Sequence, residues 1–331
     1  MRKWTELSLR SQSIFHKEIS LLTLVIPVYK NEGSIPDLLK AVTGLNTQLD
    51  GELEVVFVVD GSPDRCFELL SSALPTQSFV SKLILLSRNF GSFMAIRTGL
   101  QHGTGSRFAV MAADLQEPPS LVAEMDRILR TEPVDVVVGA REGRKDPLLS
   151  RTASRIFWGF YRRYVVPEIP PGGVDMFGCN VAFRDTLLTL DERHSSLIAQ
   201  IFWLGYRRKC ITYSRNEREH GTSAWTFRKK VNYLMDSVFS FTDLPIRLLI
   251  RVGGVGAGLA AMMGIIVAIA KLNGMIEVPG YAMIMLTTTF LGCANLMGLG
   301  IVGSYAWRTY ENTKNRPLAI PMRVESYGVK Q

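Results

Sequence analysis

The sequence predicts an α/β protein: a doubly wound, mostly parallel sheet, followed by an interfacial helix and a C-terminal two-helix transmembrane hairpin. Three observations carry this. Five short runs rich in Val, Ile and Leu lack polar alternation, as strands buried on both faces do. Helix-like segments alternate with those runs. Two long stretches near the C-terminus, between Arg251 and Lys271 and between Glu277 and Arg308, hold no charged residue.

The strands are read at 22–28 (LTLVIPV), 53–59 (LEVVFVV), 82–86 (KLILL), 107–112 (RFAVMA) and 134–139 (VDVVVG), with helices at about 34–46, 64–73, 92–102 and 119–130. Ligands of such sheets bind beyond the carboxyl ends of the strands. Those ends read PVYKNE, DGSPD, SRNFGS, AADLQ and GARE, so polar residues concentrate on one edge. Residues 148–204 read as mostly helical, broken at PEIPPGGVD, and 206–223 are polar and basic. Residues 226–246 set aromatics and Leu against Arg and Lys, which fits a helix lying in a membrane interface. Each uncharged stretch can cross a hydrocarbon core as a helix of roughly 20 residues. The spans fall at about 252–270 and 280–306. Arg247 and Arg251 precede the first span, and Arg308, Lys314 and Arg316 follow the second, whereas the link holds only Lys271 and Glu277. The positive-inside rule then puts both termini and the N-terminal domain in the cytoplasm. Small residues at Gly254/Gly258 and Ala260/Gly264 predict close helix–helix packing rather than a dinucleotide loop. The division is an extension at 1–20, a catalytic domain at 21–225, the interfacial helix at 226–246, the hairpin at 247–317 and a cytoplasmic tail at 318–331.

The net charge is +8, with clusters at Arg207-Arg208-Lys209 and Arg228-Lys229-Lys230. With two spans present, that charge points to an anionic membrane surface and not to nucleic acid. The N-terminal 20 residues contain no apolar run and read as no signal peptide. Cys66, Cys179, Cys210 and Cys293 form no CxxC pair and read as reduced, buried thiols.

Each polar strand end has a plain alternative. Asp60-Gly61-Ser62-Pro63-Asp64 is good turn and helix-cap chemistry unaided, and Arg88 or Arg141 after a strand can be a solvated charge. His194 and His220 read as loop residues, not as a catalytic pair. In sequence, however, PVYKNE, VVDGSPD, RNFGS, ADLQEPP and REHGTS resemble the family-2, GT-A-type glycosyltransferases. Within them the chain resembles the polyprenyl-phosphate glycosyltransferases, the dolichyl-phosphate mannose synthases and bacterial bactoprenol glucosyltransferases. The resemblance runs from residue 21 to about 317.

That resemblance implies a Rossmann-like GT-A sheet. Pro27, Tyr29, Asn31, Glu32 and Val58 would line the base and ribose pocket, with Asp60 bonding the base or ribose. Val59 replaces the first Asp of the usual Asp-Asp-Gly-Ser. Arg88, Asn89, Ala112, Ala113 and Arg141 would line the donor site, Arg141 through its planar guanidinium fork. Relatives carry Asp-Ala-Asp-Leu-Gln, whose two carboxylates hold Mg2+ or Mn2+ with the diphosphate. Here Ala112 replaces the first, leaving Asp114 with Gln116 as a second oxygen donor, a reduced set that magnesium tolerates. Arg215, Arg218 and Ser223 match the loop that closes over the donor phosphates, and Ala224 stands where relatives have Lys. Asp175 matches an Asp near the acceptor. The implied reaction is inverting transfer of a hexose, from UDP-hexose, to undecaprenyl phosphate at the bacterial inner membrane by a homo-oligomer. Competing readings are a transferase elongating a lipid-linked saccharide and an inactive membrane scaffold.

Overall fold

The computed structural model describes residues 21–141, 158–170, 173–214, 227–273 and 280–328. The chain divides into two compact units. The first holds an eight-stranded sheet. Its strands are β1 (Leu22–Val28), β2 (Leu53–Val59), β3 (Val80–Leu86), β4 (Arg107–Val110), β5 (Val136–Arg141), β6 (Val174–Asn180), β7 (Arg208–Tyr213) and β8 (Pro321–Tyr327). They lie in the order β7-β5-β6-β4-β1-β2-β3-β8. The pairs β1–β2, β2–β3, β1–β4 and β5–β7 are parallel. Strands β6 and β8 run antiparallel to their neighbours.

Helices α1 (Ile35–Gln48), α2 (Cys66–Ala73) and α4 (Pro119–Thr131) cover one face. Their residues Leu38, Val42, Leu70, Val122 and Met125 pack with Leu24, Ile26, Phe57 and Val59 into the main core. On the other face Val56, Val58, Ile84 and Leu86 meet Ala95 of α3 (Ser92–His102). Two further helices, α5 (Val181–Thr189) and α6 (Leu197–Trp203), start from side-chain caps: Asn180 accepts from Phe183 N and Ser196 from Ala199 N. Helices α3 and α5 also cap each other. Arg97 donates to the carbonyls of Leu187 and Leu188, and Arg184 to those of Leu100 and Gly103. Each guanidinium thus serves carbonyls at the C-terminal end of the other helix.

The amino edge of the sheet is held by charge. Glu54 accepts from Thr23 Oγ1 at 2.6 Å and Thr104 N at 2.7 Å, and pairs with Lys82 at 3.0 Å. Burial alone pushes this carboxyl up, but the bonds from Thr104, Thr23 and Lys82 outweigh it and hold it below its ordinary value. Asp126 accepts from Arg107 and Arg130, and Asp135 from Arg207 and Asn180.

Three strands depart from the reading of the sequence. Residues 148–204, expected to be mostly helical, hold β6; the polar 206–223 holds β7; and the expected tail 318–331 holds β8. β7 and β8 are edge strands, where one side meets water and apolar runs are not required. β8 starts at a proline, which an edge strand tolerates at its first residue. The tail is therefore part of the sheet: β8 pairs with β3, and Ser87 N donates to Ile320 O at 3.0 Å. The basic run 207–209, read as membrane charge, is spent within the domain: Arg207 pairs with Asp135, Arg208 with Glu168 and Lys209 with Glu132. Cys66 and Cys179 are buried, but Cys210 on β7 is exposed, contrary to expectation.

The second unit contains α7 (Phe227–Phe241), α8 (Leu244–Leu272) and α9 (Tyr281–Thr313), together with Arg193–Ser195. Within it Arg308 of α9 bonds Asp236 of α7 at 2.8 Å, and Tyr305 bonds the Thr242 carbonyl. α7 fills most of the expected interfacial segment, while α8 begins before the expected hairpin boundary, with Pro245 in its first turn. Among the described residues, one stretch, Phe290–Thr313, is long and apolar enough to cross a membrane. Among the described residues, an added methyl at Gly254 or Gly258 would meet nothing within 4 Å, so the expected close packing is not seen at these two positions. Instead Gly298 of α9 faces Leu249 of α8.

Candidate active site

The strand order locates the crevice. From β1 the chain runs outward through β2 and β3, then returns to the other side of β1 as β4. β1 and β4 therefore flank a topological switch point, where loops diverge and leave room for a ligand. The loops leaving them are Tyr29–Ser34 and Met111–Pro118. Each contains a non-glycine residue in the left-handed region: Lys30 at φ 56° and Leu115 at φ 53°. Such backbone costs of order 1 kcal/mol per residue and concentrates at functional sites.

On the β1–β2–β3 side the predicted donor residues brace one another. Lys30 N donates to Ser62 Oγ at 2.8 Å, and Glu32 N donates to Asp64 Oδ2 at 3.2 Å. Glu32 in return accepts from Arg65 N at 3.1 Å, and Asn31 Oδ1 accepts from Tyr29 N. Asp64 is therefore a hub that motif reading passed over as a turn residue. Burial raises its carboxyl, but bonds from Ser62, Cys66 and Glu32 dominate and hold it low. The Cys66 thiol is pushed up to about 12 by burial and by Asp64, so it is not a nucleophile.

Asp60 is buried. Its two oxygens accept from Phe90 N at 2.7 Å and Gly91 N at 2.9 Å. The carboxylate thus fixes the loop after β3. Gly61 packs against the same loop: a Cβ there would lie 2.2 Å from the Arg88 carbonyl carbon, and its φ is 55°. Arg88 is exposed and stacks over Phe90 at 4.1 Å, and Asn89 bonds the Asp60 carbonyl. Pro27 and Tyr29 are half-buried at the end of β1. Val58 and Ala113, expected to line the site, are instead core residues, Val58 on β2 and Ala113 in the turn after β4.

On the β4–β5–β6–β7 side the polar groups stay accessible. Ala112, Asp114 and Gln116 are half-buried in the loop after β4, and Gln116 N donates to Asp114 Oδ1 at 3.4 Å. The left-handed turn at Leu115 folds Gln116 back toward Asp114. Arg141 ends β5 in register with Tyr213 at the end of β7. Asp175, at the start of β6, is exposed and accepts from the Tyr213 hydroxyl at 2.9 Å. Tyr213 carries no motif, since it lies in a polar and basic stretch of the sequence. Glu117, 2% exposed, is a further carboxylate of the β4 loop that motif reading passed over. Arg215, Arg218, Ser223 and Ala224 lie outside the described residues, as does His220. His194 belongs to the second unit, 4.0 Å from Asp236.

Oxygen donors at Asp114 and Gln116 suit a hard divalent cation. Among the described residues no group of three or more His, Cys, Asp or Glu could hold a metal ion. A cation at this loop would therefore need further oxygens from a ligand, as magnesium beside phosphates does.

A switch point edged by a carboxylate and an amide, with Arg88 and Arg141 at neighbouring strand ends, marks an α/β protein of the class that binds ligands beyond the carboxyl ends of its strands. Residues 23–189 match the family described as Glycosyl transferase family 2. The chain is 30% identical over 298 residues to an uncharacterized glycosyltransferase, sll0501, of Synechocystis, covering 90% of this chain and 93% of that one. It is 32% identical over 313 residues to the undecaprenyl-phosphate 4-deoxy-4-formamido-L-arabinose transferase of Salmonella paratyphi A, covering 90% and 92%. Among solved structures, the mannosyltransferase PcManGT of Pyrobaculum calidifontis, in complex with GDP-Man and Mn2+, aligns over 84% of this chain and 86% of its own, at 17% identity and a TM-score of 0.43. The chain belongs to glycosyltransferase family 2, and it is a glycosyltransferase.

Proposed function

We propose that this protein transfers a hexose-type sugar from a UDP-sugar to undecaprenyl phosphate at the cytoplasmic face of a bacterial inner membrane. The observation that carries this reading is the similarity over nine-tenths of both chains, helical C-terminal region included, to a protein named as an undecaprenyl-phosphate sugar transferase. In the proposed topology α8 and α9 form a two-span hairpin, α7 lies in the interface, both termini are cytoplasmic, and the protein is a homo-oligomer.

In the reaction an oxygen of the lipid phosphate attacks the anomeric carbon of the sugar. The bond from that carbon to the diphosphate breaks, configuration inverts, and UDP leaves. A phosphate monoester is largely dianionic near pH 7. The acceptor therefore needs no general base, and catalysis becomes positioning plus neutralisation of the leaving diphosphate. Pro27, Tyr29, Asn31 and Glu32 would receive the nucleoside, on a loop held by Ser62 and Asp64. Asp60 would bond the base or ribose while holding the loop that presents Arg88 and Asn89. Arg141, Arg215, Arg218 and Ser223 would bind phosphate oxygens. Asp114 and Gln116 would hold Mg2+ or Mn2+, which when bound supplies positive charge to the diphosphate. Asp175 would orient the acceptor or sugar.

The test incubates purified protein with UDP-sugars, Mg2+ or Mn2+ and polyprenyl phosphate. Radiolabel moving into the lipid phosphate is the expected result. Transfer to a saccharide hydroxyl instead would remove the acceptor assignment, and a donor screen would name the sugar.

A further inference from the structure

We infer that Tyr213 is a positioning residue for this transfer, acting through Asp175. The inference rests on the proposed function, in which Asp175 orients the acceptor or sugar. Five of the seven residues of β6 are buried, and Asp175 is the one that is exposed. It lies where the register between β5 and β6 shifts, from Gly139 opposite Met176 to Ala140 opposite Val174. An irregularity of this kind re-aims a side chain and recurs beside active sites. The β4–β6 ladder pairs Arg107 with Asn180 and Ala109 with Gly178. Continued in the same register, it brings Asp175 level with Ala112, the strand-end position that lacks a carboxylate. Asp175 is thus the carboxylate of β6 at the edge where the donor loop of β4 emerges.

An exposed Asp side chain at a strand end has many rotamers, and only a fixed one can orient a substrate. The Tyr213 hydroxyl supplies that restraint at 2.9 Å. The donor is itself well fixed: Tyr213 is 5% exposed and part of the main core. It also reaches across a strand, because β7 and β6 lie on opposite sides of β5. A rigid aromatic anchored in the core therefore holds a surface carboxylate from two strands away. Tyr is suited to this, since it has two side-chain torsions and a polar tip.

The experiment uses the full-length chain in detergent with UDP-sugar and polyprenyl phosphate. Tyr213→Phe should lower kcat about tenfold, the worth of one hydrogen bond to a charged group, with the donor KM and Tm nearly unchanged. Asp175→Ala should lose more, and adding Tyr213→Phe to it should lose nothing further. A Tyr213→Phe protein with wild-type kcat, or losses that multiply in the double variant, would overturn the inference while leaving the proposed function standing. Absence of lipid-phosphate transfer by the wild type would overturn the proposed function instead. A structure of Tyr213→Phe reads the restraint without turnover: a displaced Asp175 carboxylate supports it, and an unmoved one contradicts it.

Discussion

At the amino edge of the sheet, Glu54, Asp126 and Asp135 are buried and each is bound by a Lys or Arg. At the carboxyl edge, Asp114 is half-buried and Asp175 exposed, and the flanking loops hold Lys30 and Leu115 in left-handed backbone. Carboxylates at one edge close the fold; carboxylates at the other are kept where a ligand can reach them. The difference teaches that charge count alone does not separate structural from functional acids in this chain. Burial and ion pairing do: the amino-edge acids Glu54, Asp126 and Asp135 are buried and paired, whereas Asp114 and Asp175 keep exposed surface.

Glu54→Ala should break the amino edge most severely. It removes the carboxylate partner of Lys82 and strands the Thr104 N–H, and should cost roughly 3 kcal/mol in denaturant unfolding, without a specific effect on nucleotide affinity. A loss below about 0.5 kcal/mol would show that the edge is not held this way. Gly61→Ala should breach the separation of the two edges. Its Cβ would press on the Arg88 backbone, so about 2 kcal/mol of stability and the donor affinity should fall together. A variant that loses stability alone would detach the 88–91 loop from the donor site.

Acid should act first on the braced carboxylates. The folded Glu54 and Asp64 groups sit below their ordinary values of 4.5 and 3.8. Their stabilisation is complete above the unfolded values and drains away as pH falls through the folded ones. Tm followed from pH 6 to 3 should therefore drop below about pH 4.5, and Glu54→Gln should flatten that slope. An equal slope in the variant would place the acid sensitivity elsewhere. The smallest effect is a gain: Lys30→Gly should relieve left-handed strain at an exposed position and stabilise by about 0.5–1 kcal/mol. A loss of stability there would mean that Lys30 makes a contact worth more than its strain.

The sequence made the first half of the sheet readable because its central strands are buried on both faces and their apolar runs are unbroken. LTLVIPV and LEVVFVV are strands over the residues expected. VDMFGCN hid β6, because Asp, Gly and Asn interrupt it and helices follow on. RKCITY and PMRVESY hid β7 and β8, because edge strands alternate or carry charge. No local signal could pair Val324 with Ile84, far apart in the chain. Motif order located the crevice but blurred roles within it. Asp60 and Asp64 share one motif, yet that Asp60 braces Phe90 and Gly91 while Asp64 braces Glu32 emerges only from their hydrogen bonds, as does the role of Tyr213, which lies outside any motif.

Calorimetry of UDP binding, with and without Mn2+, tests most directly whether the carboxyl edge is the donor site. The wild-type chain should bind UDP more tightly with Mn2+ than without it. Asp114→Ala should lose that increment while keeping its Tm. Metal-independent binding that Asp114→Ala leaves untouched would contradict the account.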